Sequence, residues 1–178
     1  MADLHLDVDL SLEGPLLRIV YRVRNDGPTR VYLLDQLLEP RPEGLVRSRR
    51  PVVLGAGDGP VRLVLGWVPP AGKPAFFYPP AGRALDPGAE VSGAREAPWP
   101  LAAWHPFSTP PALAAEPTRA VLEIGVLEGD GGWSRLPLAG GEVVVAPELA
   151  FAAQNQKLAR SAELSLPREA RPPSWELE

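Results

Sequence analysis

Few side chains in this sequence combine the residue types and the spacing that catalysis or metal binding requires. The chain contains no cysteine, so a thiolate nucleophile, a thiolate metal site and a disulfide are all excluded. Its two histidines, His5 and His105, lie far apart, and neither has neighbours at the spacing of zinc ligands. The Gly-x-Ser-x-Gly motif of many serine hydrolases is absent. We therefore predict no catalytic residue, no metal and no cofactor, and we expect a protein that is not an enzyme.

Two glycine-containing segments share some features with nucleotide-binding loops but lack the essential ones. In residues 66–73 the prolines remove backbone amides that a phosphate needs, and Pro74 stands where a phosphate loop has serine or threonine. Residues 55–59 follow an apolar run, as a dinucleotide-binding turn would, but they lead into a predicted strand and not into a helix. Neither segment predicts a nucleotide site, and the second is interpreted as a hairpin turn.

Aromatic residues are concentrated in one proline-rich stretch, which is the best candidate for a binding site in the sequence. Six of the twelve aromatic residues lie there: Phe76, Phe77, Tyr78, Trp99, Trp104 and Phe107. Aromatic side chains held in rigid loops are effective anchors for a protein partner. We therefore predict that these six and Trp175, farther along the chain, bind a partner. The alternative is a satellite cluster that covers one end of the core.

A run of arginines forms a second candidate site, at Arg41, Arg47, Arg49 and Arg50. Their guanidinium groups could contact phosphate or an acidic partner, or the segment could be a solvated loop. The net charge of the chain is −4 and no wide basic field is present, so nucleic acid is not a predicted ligand. If residues 39–50 form a rigid exposed loop, they could instead block a protease.

The elements that must position these residues begin with two strands of alternating character. Apolar residues occupy alternate positions in residues 4–13 and again in 16–24, which is the period of a half-buried strand. The dipeptide Gly14-Pro15 between them indicates a hairpin turn. The implied register pairs apolar residues with one another: Leu12 with Leu17, Leu10 with Ile19, Val8 with Tyr21 and Leu6 with Val23.

The polar face of this hairpin carries three acidic residues, Asp7, Asp9 and Glu13. Together with loop oxygens they could bind Ca²⁺. The arginines of the second strand, Arg18 and Arg22, are nevertheless their expected partners, since cross-strand pairs of opposite charge stabilise a sheet.

The rest of the chain predicts short strands separated by turns and by long proline-rich loops. Its 23 prolines and 17 glycines favour irregular connections and disfavour long helices. The predicted strands lie at residues 30–38, 52–54, 61–68, 119–128 and 158–166, with extended pieces at 75–78 and 89–95, a short apolar run at 143–145 and one helical turn near 147–152. About eight or nine short strands without strand–helix alternation predict an all-β, antiparallel sandwich. We expect a single domain over residues 1–166, followed by a polar, proline-rich tail at 167–178.

Two turn motifs resemble those of immunoglobulin-like domains of bacteria. The first is the pattern Leu17-x-Ile19-x-Tyr21-x-Val23-x-Asn25-x-Gly27 followed by Val31, and the second is Leu85-Asp86-Pro87-Gly88. In the intracellular proteinase inhibitor family and in adhesion-like repeat domains, the first turn joins two core strands and the second precedes a later one. The resemblance covers about a third of the chain and implies an immunoglobulin-like β-sandwich, but it assigns no functional residue.

The expected function follows from this fold and from the missing chemistry. We predict a non-catalytic module that binds another protein through the proline- and aromatic-rich loops, an edge strand or the tail. The alternatives are a cytosolic protease inhibitor that acts through residues 39–50, and a structural subunit of a homo- or hetero-oligomer. The sequence shows neither a secretory signal nor an apolar run of the roughly 20 residues that a membrane helix needs. We therefore expect a cytoplasmic protein without membrane contact.

Overall fold

Strands account for nearly all the regular structure of the protein. The computed structural model describes residues 3–72, 77–129 and 132–167. The strands are β1 (Leu4–Glu13), β2 (Leu16–Asn25), β3 (Val31–Gln36), β4 (Leu38–Arg41), β5 (Gly44–Arg47), β6 (Val52–Leu54), β7 (Val61–Leu65), β8 (Ala81–Leu85), β9 (Glu90–Pro98), β10 (Arg119–Glu128), β11 (Trp133–Pro137), β12 (Val143–Pro147), β13 (Lys157–Arg160) and β14 (Leu164–Ser165). One helix, α1 (Leu149–Asn155), is present in the described part. The prediction of an all-β protein is confirmed.

A three-stranded sheet in the order β1-β2-β9 contains the predicted hairpin. β1 and β2 pair antiparallel in the predicted register, with Leu12 opposite Leu17 and Leu10 opposite Ile19. Gly14 has a φ of 58°, a conformation that glycine adopts without strain, and this permits the tight turn. β2 is central, because β9 pairs antiparallel along its other side.

The outer face of this sheet is polar, as the alternation predicts. Arg18 pairs with Glu13 at 3.1 Å, which confirms the expected partner for that acidic residue. Arg22 instead contacts Glu90 of β9 at 3.4 Å, a partner that only the third strand could provide.

The larger sheet is built around β10, whose bounds are those predicted. β13 and β14 pair along one side of β10, and β7 and then β3 pair along the other. β6 adds to β7, and β8 adds to β3. The β7–β10 pair is parallel, so the prediction of a purely antiparallel fold is wrong at this pair. Parallel pairing requires a long connection, and residues 66–118 provide it.

Two short antiparallel hairpins lie outside the prediction. β4 and β5 form a hairpin within residues 39–50, which the sequence pattern predicted as a loop. β11 and β12 form the other, and neither β11 nor β8 was predicted. These strands are short, and proline, arginine or glycine interrupts their alternation. The described strands therefore exceed the predicted eight or nine.

Smaller differences occur elsewhere in the second half of the chain. Phe77 and Tyr78, predicted as extended, belong to no strand. The predicted closing strand is divided into β13 and β14 by residues 161–163, and the helix begins and ends later than the predicted turn. The predicted tail lies outside the described residues except for Pro167.

Apolar side chains from both sheets form one core. The inner face of β2 and the middle of the larger sheet contribute residues that are at most 1% exposed: Leu17, Ile19, Tyr21, Val23, Leu33, Leu63, Leu122 and Ile124. A smaller cluster lies where β4, β8 and β12 approach one another, and it consists of Leu38, Ala81, Leu138 and Val144. Few polar side chains are buried in this apolar interior of the described part.

The two turn motifs described above meet at Asn25, which is fully buried. Its side-chain amide donates hydrogen bonds to the carbonyl oxygens of Thr29 (2.8 Å) and Leu85 (3.1 Å). Its Oδ1 accepts from the amide of Gly27 at 3.1 Å, and its backbone carbonyl accepts from the amide of Gly88 at 2.7 Å. Asn25 thus joins the turn after β2 to the turn after β8.

Candidate binding site

The four arginines of the second candidate segment lie together around one surface groove. The β4–β5 hairpin carries Arg41 and Arg47, and the bend after β5 carries Arg49 and Arg50. The groove has a volume of about 350 Å³ and is lined by Leu16, Glu39, Arg41, Val46, Arg47, Arg49, Arg50, Glu96 and Pro98. We call it the arginine groove. All four predicted arginines reach it, together with two acidic residues that the prediction did not include.

Backbone hydrogen bonds fix the bend that carries Arg49 and Arg50. The amide of the buried Ser48 donates to the carbonyl oxygen of Leu37 at 2.8 Å. The Ser48 hydroxyl oxygen accepts from the amide of Arg50 at 3.1 Å, and the amide of Glu96 in β9 donates to the carbonyl of Arg49 at 2.9 Å. The segment is therefore attached to β9 on one side and to the end of β3 on the other, and its backbone needs no ordering when a ligand binds.

Arg41 and Arg47 have acidic or amide partners on the protein surface. Arg41 donates from Nη2 to a carboxylate oxygen of Glu39. Arg47 donates from Nε to Oε1 of Gln36 at 3.0 Å and from Nη1 to Oε2 of Glu142 at 2.7 Å. The charges of these two arginines are thus largely compensated within the chain.

Arg49 and Arg50 are much less compensated. The Arg49 side chain is 87% exposed, and its nearest carboxylate oxygen, on Glu96, lies 3.9 Å away. Arg50 lies over the ring of Trp104, with 5.7 Å between its guanidinium carbon and the ring centroid. Within the described residues Arg50 has no ion-pair partner. The groove therefore presents two guanidinium groups whose donors are available to a ligand.

A second group of arginines lies half-buried between the two sheets. Asp35 of β3 has no exposed surface, and its Oδ2 accepts hydrogen bonds from the Tyr21 hydroxyl at 2.7 Å and from Nη2 of Arg83. Arg95 of β9 donates from Nη2 to the backbone carbonyl of Asp35 and lies 5.8 Å above the Tyr21 ring. We call these four residues the inter-sheet cluster. It contains one acid, one phenol and two guanidinium groups from four strands.

The inter-sheet cluster joins the two sheets. Burial, followed by the nearby Asp35 charge, raises the pKa of Tyr21, so the phenol stays neutral and its hydroxyl donates a hydrogen bond to the carboxylate. Gly93 of β9 makes room for this ring, because a Cβ there would fall inside van der Waals contact with the Tyr21 hydroxyl. The cluster therefore links β2 and β9 to β3 and β8, while Oδ1 of Asp35 and the Nε atoms of Arg83 and Arg95 are buried without a hydrogen-bond partner.

The two histidines are placed apart and neither has ligand-like neighbours. His105 is buried, its Nδ1 accepts from the Phe107 amide at 3.1 Å, and its Nε2 donates to the Val68 carbonyl at 3.1 Å. Burial lowers the pKa of His105, and both bonds are made by the neutral ring. His5 lies on the surface 3.1 Å from Asp7. Among the described residues, no group of three or more His, Asp or Glu side chains is placed to hold a metal ion.

Among the described residues of the predicted aromatic set, Tyr78 and Phe107 line one small cavity together with Trp67, on which Phe77 stacks. Tyr78 and Phe107 are neighbours, with ring centroids 6.4 Å apart, and Phe77 stacks on Trp67 at 5.4 Å. Trp104 lies farther along, where its backbone pairs with Val53. Each of the described aromatic residues in the predicted set is half-buried, so each contributes to packing while keeping some exposed surface.

The remaining aromatic residues of the prediction lie elsewhere. Trp99 borders a cavity of about 340 Å³ that is shared with Leu166 and Pro167, away from the Tyr78 and Phe107 pair. Phe76 and Trp175 lie outside the described residues. Within the described part of the predicted aromatic set, Trp104 contacts a groove arginine, because its ring lies beneath Arg50.

Sequence reasoning missed the inter-sheet cluster and the acidic residues of the groove. Asp35 was visible as a lone charge in the otherwise apolar run Val31-Tyr32-Leu33-Leu34-Asp35, and a buried charge in such a strand needs a partner. Nothing in the sequence indicated that Arg83 and Arg95 would be these partners, since they lie 48 and 60 residues after Asp35 in the chain. Glu96 lay just beyond the predicted strand at 89–95, and the sequence did not indicate that β9 would extend to it and bring it beside the bend.

Comparisons with protein-family models, with curated proteins and with solved structures found no match. Within residues 3–72, 77–129 and 132–167, no helix has the length and apolar character to cross a bilayer. The functional argument therefore depends on the geometry of this chain alone.

Proposed function

We propose that this protein is a non-catalytic binding module whose arginine groove holds an acidic segment of a partner protein. The observation that carries the proposal is the pair Arg49 and Arg50 on a fixed backbone. The nearest carboxylate oxygen to Arg49, on Glu96, lies 3.9 Å away, and Arg50 lies over the ring of Trp104. A guanidinium group presents donors in a planar fork that matches a carboxylate, and aspartate or glutamate side chains of a partner supply that group.

The position of these charges supports a specific partner surface. The whole chain has a net charge of −4, so the groove is a local basic site on an acidic protein. An acidic partner is repelled by the rest of the surface and attracted at this place, which favours one orientation of docking. Because Ser48 and Glu96 already hold the bend, the partner orders little of the protein on binding.

We also propose that the fold is an immunoglobulin-like β-sandwich that serves as a rigid support for this groove. The shared apolar core of the two sheets and the bridge from Asn25 to both turn motifs support this assignment. Binding sites on such sandwiches are placed at loops and at edges, and the β4–β5 hairpin with its following bend is of this kind.

Trp104 connects the aromatic prediction to this function. Its ring supports the Arg50 guanidinium through a cation–π contact, which favours the charged group at the groove and leaves its outer donors exposed. The other described aromatic residues, Phe77, Tyr78, Trp99 and Phe107, remain predicted contact residues for a larger partner. The inhibitor hypothesis also stays a prediction, now with a hairpin in place of the expected loop.

The experiment is a titration of a short rhodamine-labelled peptide of alternating Glu and Gly, followed by fluorescence anisotropy. We expect Arg49→Ala with Arg50→Ala to weaken binding about 5- to 30-fold, since each exposed ion pair contributes roughly 0.5–1 kcal/mol. The matched control is Arg22→Ala with Arg24→Ala, two exposed arginines that pair with Glu90 and Asp26 on the outer face of β2.

The control variant should bind as tightly as the unchanged protein. An equal loss in both double variants would mean that the peptide senses only overall charge, and the proposal would fail. Higher salt should weaken the binding further, because the pairs are exposed and therefore screened.

A further inference from the structure

The segment that follows the described part has a distribution of charge that is complementary to the arginine groove. Residues 168–171 contain two arginines, whereas residues 172–178 read Pro-Pro-Ser-Trp-Glu-Leu-Glu. All charged side chains in that second half are acidic. It also contains Trp175, and tryptophan is the best aromatic partner of a guanidinium group. Its residue types are therefore those that Arg49 and Arg50 would recognise.

The described part of the chain ends at a cavity that is separate from the groove but close to it along β9 in sequence. Leu166 is buried, and its amide donates to the carbonyl of Thr118 at 2.9 Å, which anchors the end of β14. Leu166 and Pro167 border the same cavity as Trp99. Trp99 directly follows Pro98, which lines the arginine groove. The segment therefore begins at a cavity bordered by Trp99, the residue that directly follows a groove-lining residue in the sequence.

The length of the segment allows it to reach the groove. At roughly 3.3 Å per extended residue, residues 168–171 span about 13 Å and the whole segment about 36 Å. The arginine-containing half can therefore act as a linker, and the acidic half can lie along the bend.

We propose that residues 172–178 occupy the arginine groove of their own chain, with Glu176 and Glu178 paired to Arg49 and Arg50. This inference rests on the proposed function, because it assigns a competitor to the same site. A tethered segment acts at an effective concentration in the millimolar range, so weak pairing is enough to occupy the groove. A partner must then displace the segment, and only partners with more acidic side chains than the segment do so efficiently.

The direct test places a nitroxide on the segment and measures amide line broadening by NMR. The chain contains no cysteine, so Pro173→Cys provides a single labelling position. We expect broadening of the amides of Arg47, Arg49 and Glu96, and its loss when Glu176→Gln and Glu178→Gln are added. The matched control, Arg168→Gln with Arg171→Gln, should keep the broadening.

Two outcomes of this test would overturn the proposal. One is broadening that is absent from the groove or spread evenly over the surface. The other is broadening that appears only when unlabelled ¹⁵N protein is mixed with nitroxide-labelled ¹⁴N protein, because this would place the segment on a second copy.

Peptide binding separates this inference from the proposed function. Removal of residues 168–178 should raise the affinity for the Glu-Gly peptide about tenfold. This is the gain expected when the effective concentration of the tethered segment is about ten times its own dissociation constant for the groove. Added free peptide with the sequence of residues 168–178 should reverse the gain. Equal affinities with and without the segment would reject its docking and leave the function intact, whereas no binding by either chain would reject the function.

Discussion

The inter-sheet cluster and the arginine groove use the same side chain in opposite ways. Arg83 and Arg95 lie between the sheets, where an acid of the same chain and a backbone carbonyl accept their hydrogen bonds. Arg49 and Arg50 lie on the surface, where Arg49 has a carboxylate oxygen of Glu96 at 3.9 Å and Arg50 lies over the ring of Trp104. A buried charge must be compensated within the fold, whereas an exposed charge is hydrated by water and remains available to a ligand. Stability should therefore depend on the first pair, and binding on the second.

The largest effect should come from the acid at the centre of the inter-sheet cluster. Asp35→Asn removes the charge that compensates Arg83, whose side chain is 32% exposed and so keeps part of its hydration. We expect a loss of about 3 kcal/mol in the free energy of unfolding, at the lower end of the range for a broken buried pair. Urea denaturation measures it, with Asp26→Asn at an exposed pair as the control. Equal changes in both variants would contradict the account.

The next effect concerns the space that the cluster requires. Gly93→Ala places a methyl group against the buried Tyr21 ring, which cannot move aside because Asp35 and Arg95 hold it. We expect a loss of roughly 1–3 kcal/mol, typical of an overpacked interior. Ser92→Ala, at the neighbouring exposed position, should change the free energy of unfolding much less. A tolerated Gly93→Ala would show that the ring is loosely held.

A smaller and pH-dependent effect should arise at His105. Burial lowers its pKa in the folded state, so the unfolded chain binds more protons near the ordinary histidine pKa of about 6.5. Stability should be fully present above that pH and should fall as the pH decreases from about 7.5 to about 5.5, above the range where most carboxylates titrate. His5→Gln should keep this dependence and His105→Gln should flatten it. The reverse pattern would place the titration at the surface.

The smallest effect on stability should come from the groove itself. Arg49→Ala with Arg50→Ala should change the free energy of unfolding by less than about 0.5 kcal/mol each, since exposed side chains without close partners contribute little. The same variant is expected to lose peptide affinity, so thermal unfolding and anisotropy should respond differently. A large destabilisation would mean that these arginines also support the fold, so the groove and the inter-sheet cluster would not differ in their contribution to stability.

The parts of the fold that the sequence predicted are those set by local pattern. The β1–β2 register follows from alternation on both sides of a two-residue turn, and a shift by one residue would bury arginine. β10 was predicted with its bounds because its run is long, apolar and β-branched. In contrast, the parallel β7–β10 pair and the weakly patterned strands β8 and β11 depend on contacts that no local window contains.

The sequence predicted which arginines are close together in the chain, but not the geometry of the candidate site. The four arginines were visible as a cluster in sequence, but the sequence did not show which of them would be compensated. That depended on Glu142 approaching Arg47 and on Trp104 approaching Arg50, both from distant segments. The aromatic residues were visible too, yet the sequence did not show which of them would line one cavity together.

The most direct test follows the arginine Nε–H signals by NMR during titration with the acidic Glu-Gly peptide, with assignments from single Arg→Lys variants. The account predicts that the Arg49 and Arg50 signals shift with saturation, while the Arg83 and Arg95 signals stay in place. Shifts of equal size at Arg22 and Arg24, or unmoved Arg49 and Arg50 signals at saturating peptide, would contradict it.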